Sequence, residues 1–478
     1  MLSGQCPART HHRNSEVSAV HAHENRTGRA SSCKASAFRF TLAGAFVTSL
    51  IAFPAYSQAV QERLDLSSAV AKAVQNHPSI RGSLQQINQA EEIVKATRAQ
   101  AGPQISGGLE NRLNTYRNTD YGSRNIHTAR LNVSQLLFDF GKLAGATRQA
   151  EAGVRVSEAQ SELAINEIAL VTVQAWIDLH LQASLLDVAR EQLLAVTSIT
   201  DLVRERVEKG ATSRSNLVQA TSRVEALRSQ LLGAEAEAER ASLTLMYLTG
   251  SDAPVEIEGD IPPALQGAAC LTDVAHDPPA VEIALGQRDD ALAQLDIAKA
   301  QRFPTITLDG TAGLALTNGS RLYGERTTGQ VGVNVSMPFY QGGAVQARER
   351  GALYQLRAFE GAVAQARLEN RQGLADAKAQ KDGWARRGPA LAARIQSIDA
   401  TRELYRLQYL QLGTRSLLDL LNAEQEYFSA RVDETQGVHS QYQAAAQCLY
   451  HLDGLRDTFQ ITKPAPPLDP AFVGPLGQ

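Results

Sequence analysis

Aromatic residues are scarce in this chain: 2 Trp, 12 Tyr and 12 Phe make up 5% of 478 residues. Several compact cores would need more, so the composition points to long helices rich in Ala and Leu. An excess of one charge is also lacking. With 47 Lys and Arg against 50 Asp and Glu, the formal net charge is −3. Nucleic acid is thereby excluded as a main partner, because phosphate binding needs a clustered positive excess. Beyond the first sixty residues no run of about 20 apolar residues occurs, which excludes a polytopic helical membrane protein. A P-loop, a dinucleotide glycine fingerprint, HExxH and CxxC are all missing. His77, His127, His180, His276, His439 and His451 show no ligand spacing and read as surface or capping positions. No catalytic residue, metal ligand or cofactor is assigned, and an enzyme is not expected.

Residues 1–59 read as a presequence and signal peptide. Lys34 and Arg39 precede an apolar run from Thr41 to Pro54, and small residues follow it, with cleavage after Ser57 or Ala59. The polar stretch before it, with His11, His12, His21 and His23, belongs to the discarded segment; the true start codon stays open. Cys6 and Cys33 leave with it. The mature chain keeps Cys270 and Cys448, which could pair in an oxidising compartment, although sequence does not fix their distance.

The mature chain is a tandem duplication with an offset of about 200 residues. His77-Pro78 recurs as Asp277-Pro278. Val133–Gly141 recurs as Val335–Gly343, and Lys209-Gly210-Ala211-Thr212 as Leu412-Gly413-Thr414-Arg415. The copies are repeat 1 (60–250) and repeat 2 (277–455). A Pro-, Gly- and acid-rich linker (251–276) separates them, and a Pro-rich tail (456–478) follows.

Each repeat opens on a helix-like stretch after His77-Pro78 or Asp277-Pro278 and then carries a strand pair. Residues 305–317 and 328–338 alternate apolar and polar side chains, and 104–116 and 126–138 do so with more noise. Each strand runs roughly ten residues, the length of a membrane-spanning β-strand. Tyr116, Phe138, Tyr323, Phe339 and Tyr340 fall near strand ends, where interfacial aromatics belong.

A very long helix then follows, over 142–209 and again over 344–412. Each would be about 100 Å long at 1.5 Å per residue. Leu179, Leu186, Leu193 and Val207 form one heptad seam, and Leu181, Val188 and Leu202 a second, so the helix has a neighbour on each side. Gly383, Gly388 and Pro389 are expected to kink or interrupt the second copy. Shorter helices follow the two turns.

Four membrane-length strands cannot stay an open sheet in lipid, because edge N–H and C=O groups would lack partners. Closure therefore takes several chains, and two-seamed helices forming a tube favour twelve strands from a homotrimer.

These landmarks resemble the TolC family of outer-membrane channel proteins over essentially the whole mature chain. The run Leu412 to Asn422 (LGTRSLLDLLN) is the most specific element. The resemblance implies an α fold with a membrane β-barrel contribution: long antiparallel coiled-coil helices form a periplasmic tunnel, and four transmembrane strands per chain close as a 12-stranded trimeric barrel. It implies a passive duct in the outer membrane of a Gram-negative cell. A periplasmic adaptor would join it to an inner-membrane ABC exporter or other pump, with outer-membrane lipid around the barrel. The expected cargo is a protein toxin leaving by type I secretion. A multidrug efflux channel is the alternative within the class, and a soluble periplasmic coiled-coil adaptor the alternative outside it.

The resemblance also places the tip. Gly210 and Gly413 match its turn glycines, and Ser213, Leu217, Thr414 and Leu417 lie with them at the expected adaptor contact. Arg415 matches an arginine that holds the tip closed, and Asp419 an acidic ring facing the lumen. Two positions depart from the pattern. Asn422 stands where a second acidic ring is expected, and Asn216 where Arg415 would find an acidic partner. A neutral partner gives about half the strength of a charge-assisted bond. Leu410 stands where a tyrosine is expected, with Tyr409 beside it. A less firmly locked and less cation-selective tip is the consequence.

Overall fold

The computed structural model describes residues 62–113, 125–266, 270, 277–316 and 326–463. All lie within one unit, Gln58–Gln478. The presequence and signal, the loops carrying Tyr116 and Tyr323, linker residues 267–269 and 271–276 with His276, and the tail beyond Lys463 lie outside the described residues.

In chain order the elements are β1 (Glu62–Leu64), α1 (Leu66–Asn76), α2 (Pro78–Ala99), β2 (Gln104–Leu113), β3 (Asn125–Phe138), α3 (Lys142–Glu208), α4 (Arg214–Thr249), β4 (Val255–Ile257), α5 (Pro263–Gln266), α6 (Pro279–Ala300), β5 (Thr305–Ala315), β6 (Thr327–Ser336), α7 (Ala344–Leu407), α8 (Leu417–His451) and α9 (Leu455–Thr458). A π-helical turn, Gln408–Leu412, closes α7. The series α2-β2-β3-α3-α4 thus recurs as α6-β5-β6-α7-α8.

The sheet has the order β2-β3-β5-β6, antiparallel throughout. Its register gathers like side chains. Ile105, Leu109, Val133, Leu131, Ala312, Leu308, Val331 and Val333 fall on one face, because directly paired residues project the same way. The opposite face carries Glu110, Arg130, Asn132, Ser134, Asp309, Thr311 and Gln330. There Ser134 Oγ donates to Asp309 Oδ1 at 2.6 Å, and Arg130 pairs with Glu110 at 3.1 Å. Among the described residues nothing covers the apolar face: Leu109 is 81% and Val331 77% exposed. A bulge at Leu137 ends the regular pairing of β3.

The sheet hands over to α3 through Asp139. Its Oδ1 accepts from Gly141 N (3.0 Å) and its Oδ2 from Leu143 N (2.6 Å), satisfying donors at the helix start. Gly141 turns the chain with φ +92°, as Gly343 does before α7 with φ +84°. Phe140 stacks on Phe303 at 5.4 Å and meets Phe138 edge-on at 4.7 Å, so aromatic rings cluster where strands become helices.

Two helical layers share the long helices. Nearer the sheet the order of packing is α2-α3-α6-α7, and beyond it α4-α3-α8-α7. Between the layers lies the main core, built on Trp176, Ile165, Ile177, Leu66, Val70, Leu245, Leu265 and Leu455. The indole Nε1 of Trp176 donates to Leu64 O at 3.2 Å. Each such side chain contributes about 1.5–3 kcal/mol when fully buried, which fixes the short elements β1, β4 and α5 around the long helices. Cys270 and Cys448 form a disulfide with Cα atoms 5.3 Å apart, tying the linker to α8; the pairing that sequence left open is therefore made.

Two expectations about helices are corrected. Helix α7 runs without interruption through Gly383, Gly388 and Pro389. Pro389 lies on the exposed side, where water can serve the carbonyl it leaves without a donor. Packing with α8 supplies what the local sequence withholds: Trp384 sits on Gly437, where a Cβ would come within 3.2 Å of the ring. The α-helix also ends at Leu407 and not at Leu412, the last five residues winding wider.

Candidate functional site

The two helical hairpins end in turns built by different local chemistry. At the first, Gly210 takes φ +70°. Its N–H donates to Val207 O at 3.0 Å, and Ala211 N–H donates to Arg206 O at 2.7 Å. This pair of bonds closes a helix through a left-handed residue, which glycine adopts without Cβ strain. Ser213 then caps α4, accepting from Asn216 N at 3.4 Å.

At the second turn Gly413 takes φ +61°, with its N–H on Gln408 O. Ser416 and Asp419 form a reciprocal capping box. Ser416 Oγ accepts from Asp419 N, and Asp419 Oδ2 accepts from Ser416 N, each at 3.2 Å. The Asp419 carboxylate is therefore held against the backbone at the start of α8.

The turns lie side by side over a shared apolar cluster of Val196, Ile199, Val203, Val224, Leu420 and Leu421, with Tyr409 and Leu417 buried among them. One polar side chain bridges the hairpins. Arg206, in the last turn of α3, donates to Tyr409 O (3.3 Å) and Leu410 O (3.1 Å), and its guanidinium lies 5.1 Å from the Tyr409 ring centre. The π-helical turn turns those carbonyls to an arginine from the other repeat.

The expected site residues come together only in part. Gly210, Ser213, Gly413 and Thr414 are exposed at the turns. Leu417 is buried and Leu217 partly buried in the apolar cluster, so their side chains hold the tip together from within instead of facing outward. Arg415 does not meet Asn216 within the chain. It folds back over Tyr405 at 4.4 Å and donates from Nε to Gln408 Oε1 at 3.1 Å, while Asn216 donates to Thr212 Oγ1 at 2.8 Å. Asn422 is exposed on α8.

Sequence reasoning missed Arg206, Tyr405 and Tyr409. An arginine in a last helical turn is a recognisable signal, but here it serves carbonyls of a helix 200 residues away. It also missed His180 and His439, read as surface or capping positions: their rings meet between α3 and α8, His180 Nδ1 lying 2.8 Å from His439 Nε2. His451 is likewise half-buried, 3.0 Å from Asn370 Oδ1. His77 is a cap, its Nδ1 accepting from Ser79 N.

Further up the hairpin, Glu424 is buried on α8 facing Arg402 of α7 at 3.5 Å. Burial pushes its carboxyl up from the ordinary value, against the pull of Arg402 and Arg406. Arg402 also lies over the Tyr427 ring at 4.2 Å and pairs with Asp399.

The duplicated hairpins, the two-faced sheet and the paired turns have a counterpart among known families. The model of the family described as outer membrane efflux protein matches residues 57–251 and 275–455. The chain belongs to that family. It is the family that the sequence landmarks resemble, and its members are outer-membrane channels with a helical tunnel in the periplasm. Among curated relatives, outer membrane efflux protein BepC of Brucella suis is 23% identical over 389 residues, covering 78% of this chain and 82% of its own. Proteases secretion protein PrtF of Dickeya chrysanthemi is 26% identical over 350 residues, covering 67% and 71%. A crystal structure of a membrane protein from Pseudomonas aeruginosa superposes with a TM-score of 0.72 at 21% identity, covering 82% of this chain and 91% of that one. This outer membrane efflux protein therefore shares its fold with a solved membrane protein at low sequence identity.

Proposed function

We propose that the protein is the passive exit duct of a tripartite export system. Three copies join edge to edge, β6 of one against β2 of the next, and close a twelve-stranded barrel in the outer membrane. The observation that carries this reading is the sheet. One face is largely apolar and exposed, the other polar, and among the described residues both edge strands are paired on one side only. In lipid such edges must pair, and the apolar band suits the acyl chains while the polar face lines a lumen. Helices α3 and α7 continue the lumen as a tunnel into the periplasm.

At the far end the exposed backbone around Gly210, Ser213, Gly413 and Thr414 meets a periplasmic adaptor, which couples the duct to an inner-membrane pump such as an ABC exporter. Asp419 supplies a ring of three carboxylates that favours cations. Arg415 and Asn216 act across neighbouring copies to hold the tip, and Asn422 leaves the second ring uncharged. The cargo is a protein toxin secreted by the type I route, a reading that the name of PrtF supports. Multidrug efflux, which the name of BepC favours, uses the same geometry; loss of toxin secretion versus gain of drug sensitivity in a deletion strain separates the two.

Light scattering of protein extracted by mild detergent from purified outer membrane is expected to give three chains. A monomer or dimer would overturn the barrel. In planar bilayers Asp419→Asn is expected to lower cation preference; unchanged selectivity would remove Asp419 from the lumen ring.

A further inference from the structure

Along the tunnel wall the two hairpins touch mainly through α3 against α8. Polar clasps mark this seam at intervals. From the waist outward they are Glu162 with Arg456 of α9 and Lys463 beyond it, Asn166 with Asp453 after α8, His180 with His439 and Glu191 with Arg431 of α8 itself, and Arg206 with the carbonyls of Tyr409 and Leu410 in the π-helical turn. Three of the five involve arginine, which stays charged at any physiological pH, and one joins an amide to a carboxylate. The histidine pair differs.

Its proton positions follow from its partners. His439 Nδ1 lies 2.7 Å from Thr435 O. A carbonyl only accepts, so Nδ1 carries the proton and the bare Nε2 must accept. His180 Nδ1–H donates to it at 2.8 Å. A first proton can be held on the other nitrogen of His180 with the bond kept, but a second, on His439 Nε2, sets two donors face to face and places two charges between half-buried rings, and the bond cannot survive. We propose that the His180–His439 bond is an acid-releasable clasp of the α3–α8 seam, so that protonation loosens the two hairpins from each other at mid-height.

The surroundings confine release to acid. Burial pushes both imidazoles below the ordinary value of 6.5. Opposing it are Asp178 on α3, Asp260 ahead of α5, and the Thr435 carbonyl; Asp178 also interacts with Arg240 of α4. On α8 the nearest titratable ring is Tyr442, 6.0 Å away between centres. On α7 the buried Lys381 lies one turn before Trp384, which packs on Gly437 of α8. Because the folded-state values are depressed, the unfolded or separated state binds more protons in acid. The clasp therefore contributes fully above about 6.5 and loses its contribution as pH falls below that value into the depressed folded-state range.

Hydrogen exchange of the full chain in detergent tests this. After correction for the intrinsic rate, peptides covering 176–184 and 435–443 are expected to exchange about tenfold faster at pH 5 than at pH 7.5. In His439→Gln that difference is expected to vanish, since glutamine can donate to Thr435 O and accept from His180 without titrating. His180→Asn serves the same comparison if the first variant fails to assemble, and His451→Gln should keep the acid response. Equal protection at both pH values in the wild type overturns the clasp, as does an acid response that persists in both clasp variants. The consequence for transport rests on the duct reading: conductance should rise in acid in the wild type alone. Absence of conductance at every pH would count against the duct, while the exchange result judges the clasp.

Discussion

Glu424 illustrates how much a single position depends on its neighbours. Its carboxylate is buried and faces Arg402 across the α7–α8 hairpin. Removing one partner of a buried pair costs more than the pair contributes, because the other charge is left without compensation. Arg402→Ala is expected to destabilise the protein by about 3 kcal/mol at neutral pH, read as a lower unfolding midpoint in urea. The sign with pH follows from the raised carboxyl. As pH falls, Glu424 takes up a proton and no longer needs the arginine, so the penalty should shrink. A penalty that stays the same in acid would assign the loss to the Tyr427 contact instead.

Residue roles of this kind were poorly legible in the sequence. The turn glycines were found because a positive φ leaves a chemical signature, and Gly210 and Gly413 both carry it. The His180–His439 bond joins residues 259 apart in sequence, and no spacing rule spans that distance.

At the scale of elements, period and composition spoke clearly for the strands and the first long helix, whose regular patterns repeat over many residues. The alternation in 305–317 reflects a face that is apolar along β5 and its paired strands. Helix α7 is the instructive exception, since its two glycines and one proline argue locally for a break and tertiary packing overrides them. Pro389 still lacks the N–H that would reach the Ala385 carbonyl. Pro389→Ala is expected to restore that bond and raise stability by about 1–3 kcal/mol, seen as a higher melting temperature. An unchanged or lower melting temperature would mean that the helix needs the shape proline imposes. The π-helical turn at Gln408–Leu412 had no sequence signal, because its wider winding is fixed by Arg206 from the other hairpin.

For the whole molecule the decisive feature is an open sheet with two unlike faces. Val333→Lys would put a charge on the apolar face, at a cost of about 2–4 kcal/mol near a bilayer midplane. Outer-membrane trimer recovered from cells should fall sharply. Thr311→Lys on the opposite face should leave recovery nearly intact, because that face is already polar. Equal recovery of the two variants would place the sheet outside lipid.

The sequence by itself determined the duplication, the alternation of the strands, the length of the helices and the positions of the turns, since each is written in local period or in a residue with one conformational use. It also carried the resemblance that the family match bears out. Only the tertiary structure decided that Cys270 meets Cys448, that Arg415 folds onto Tyr405 and Gln408, that Leu417 points inward, and that two histidines clasp the seam. Those contacts join segments up to 259 residues apart. Which side chains meet depends on how α3, α7 and α8 pack and rotate against one another, and packing over shared cores sets that.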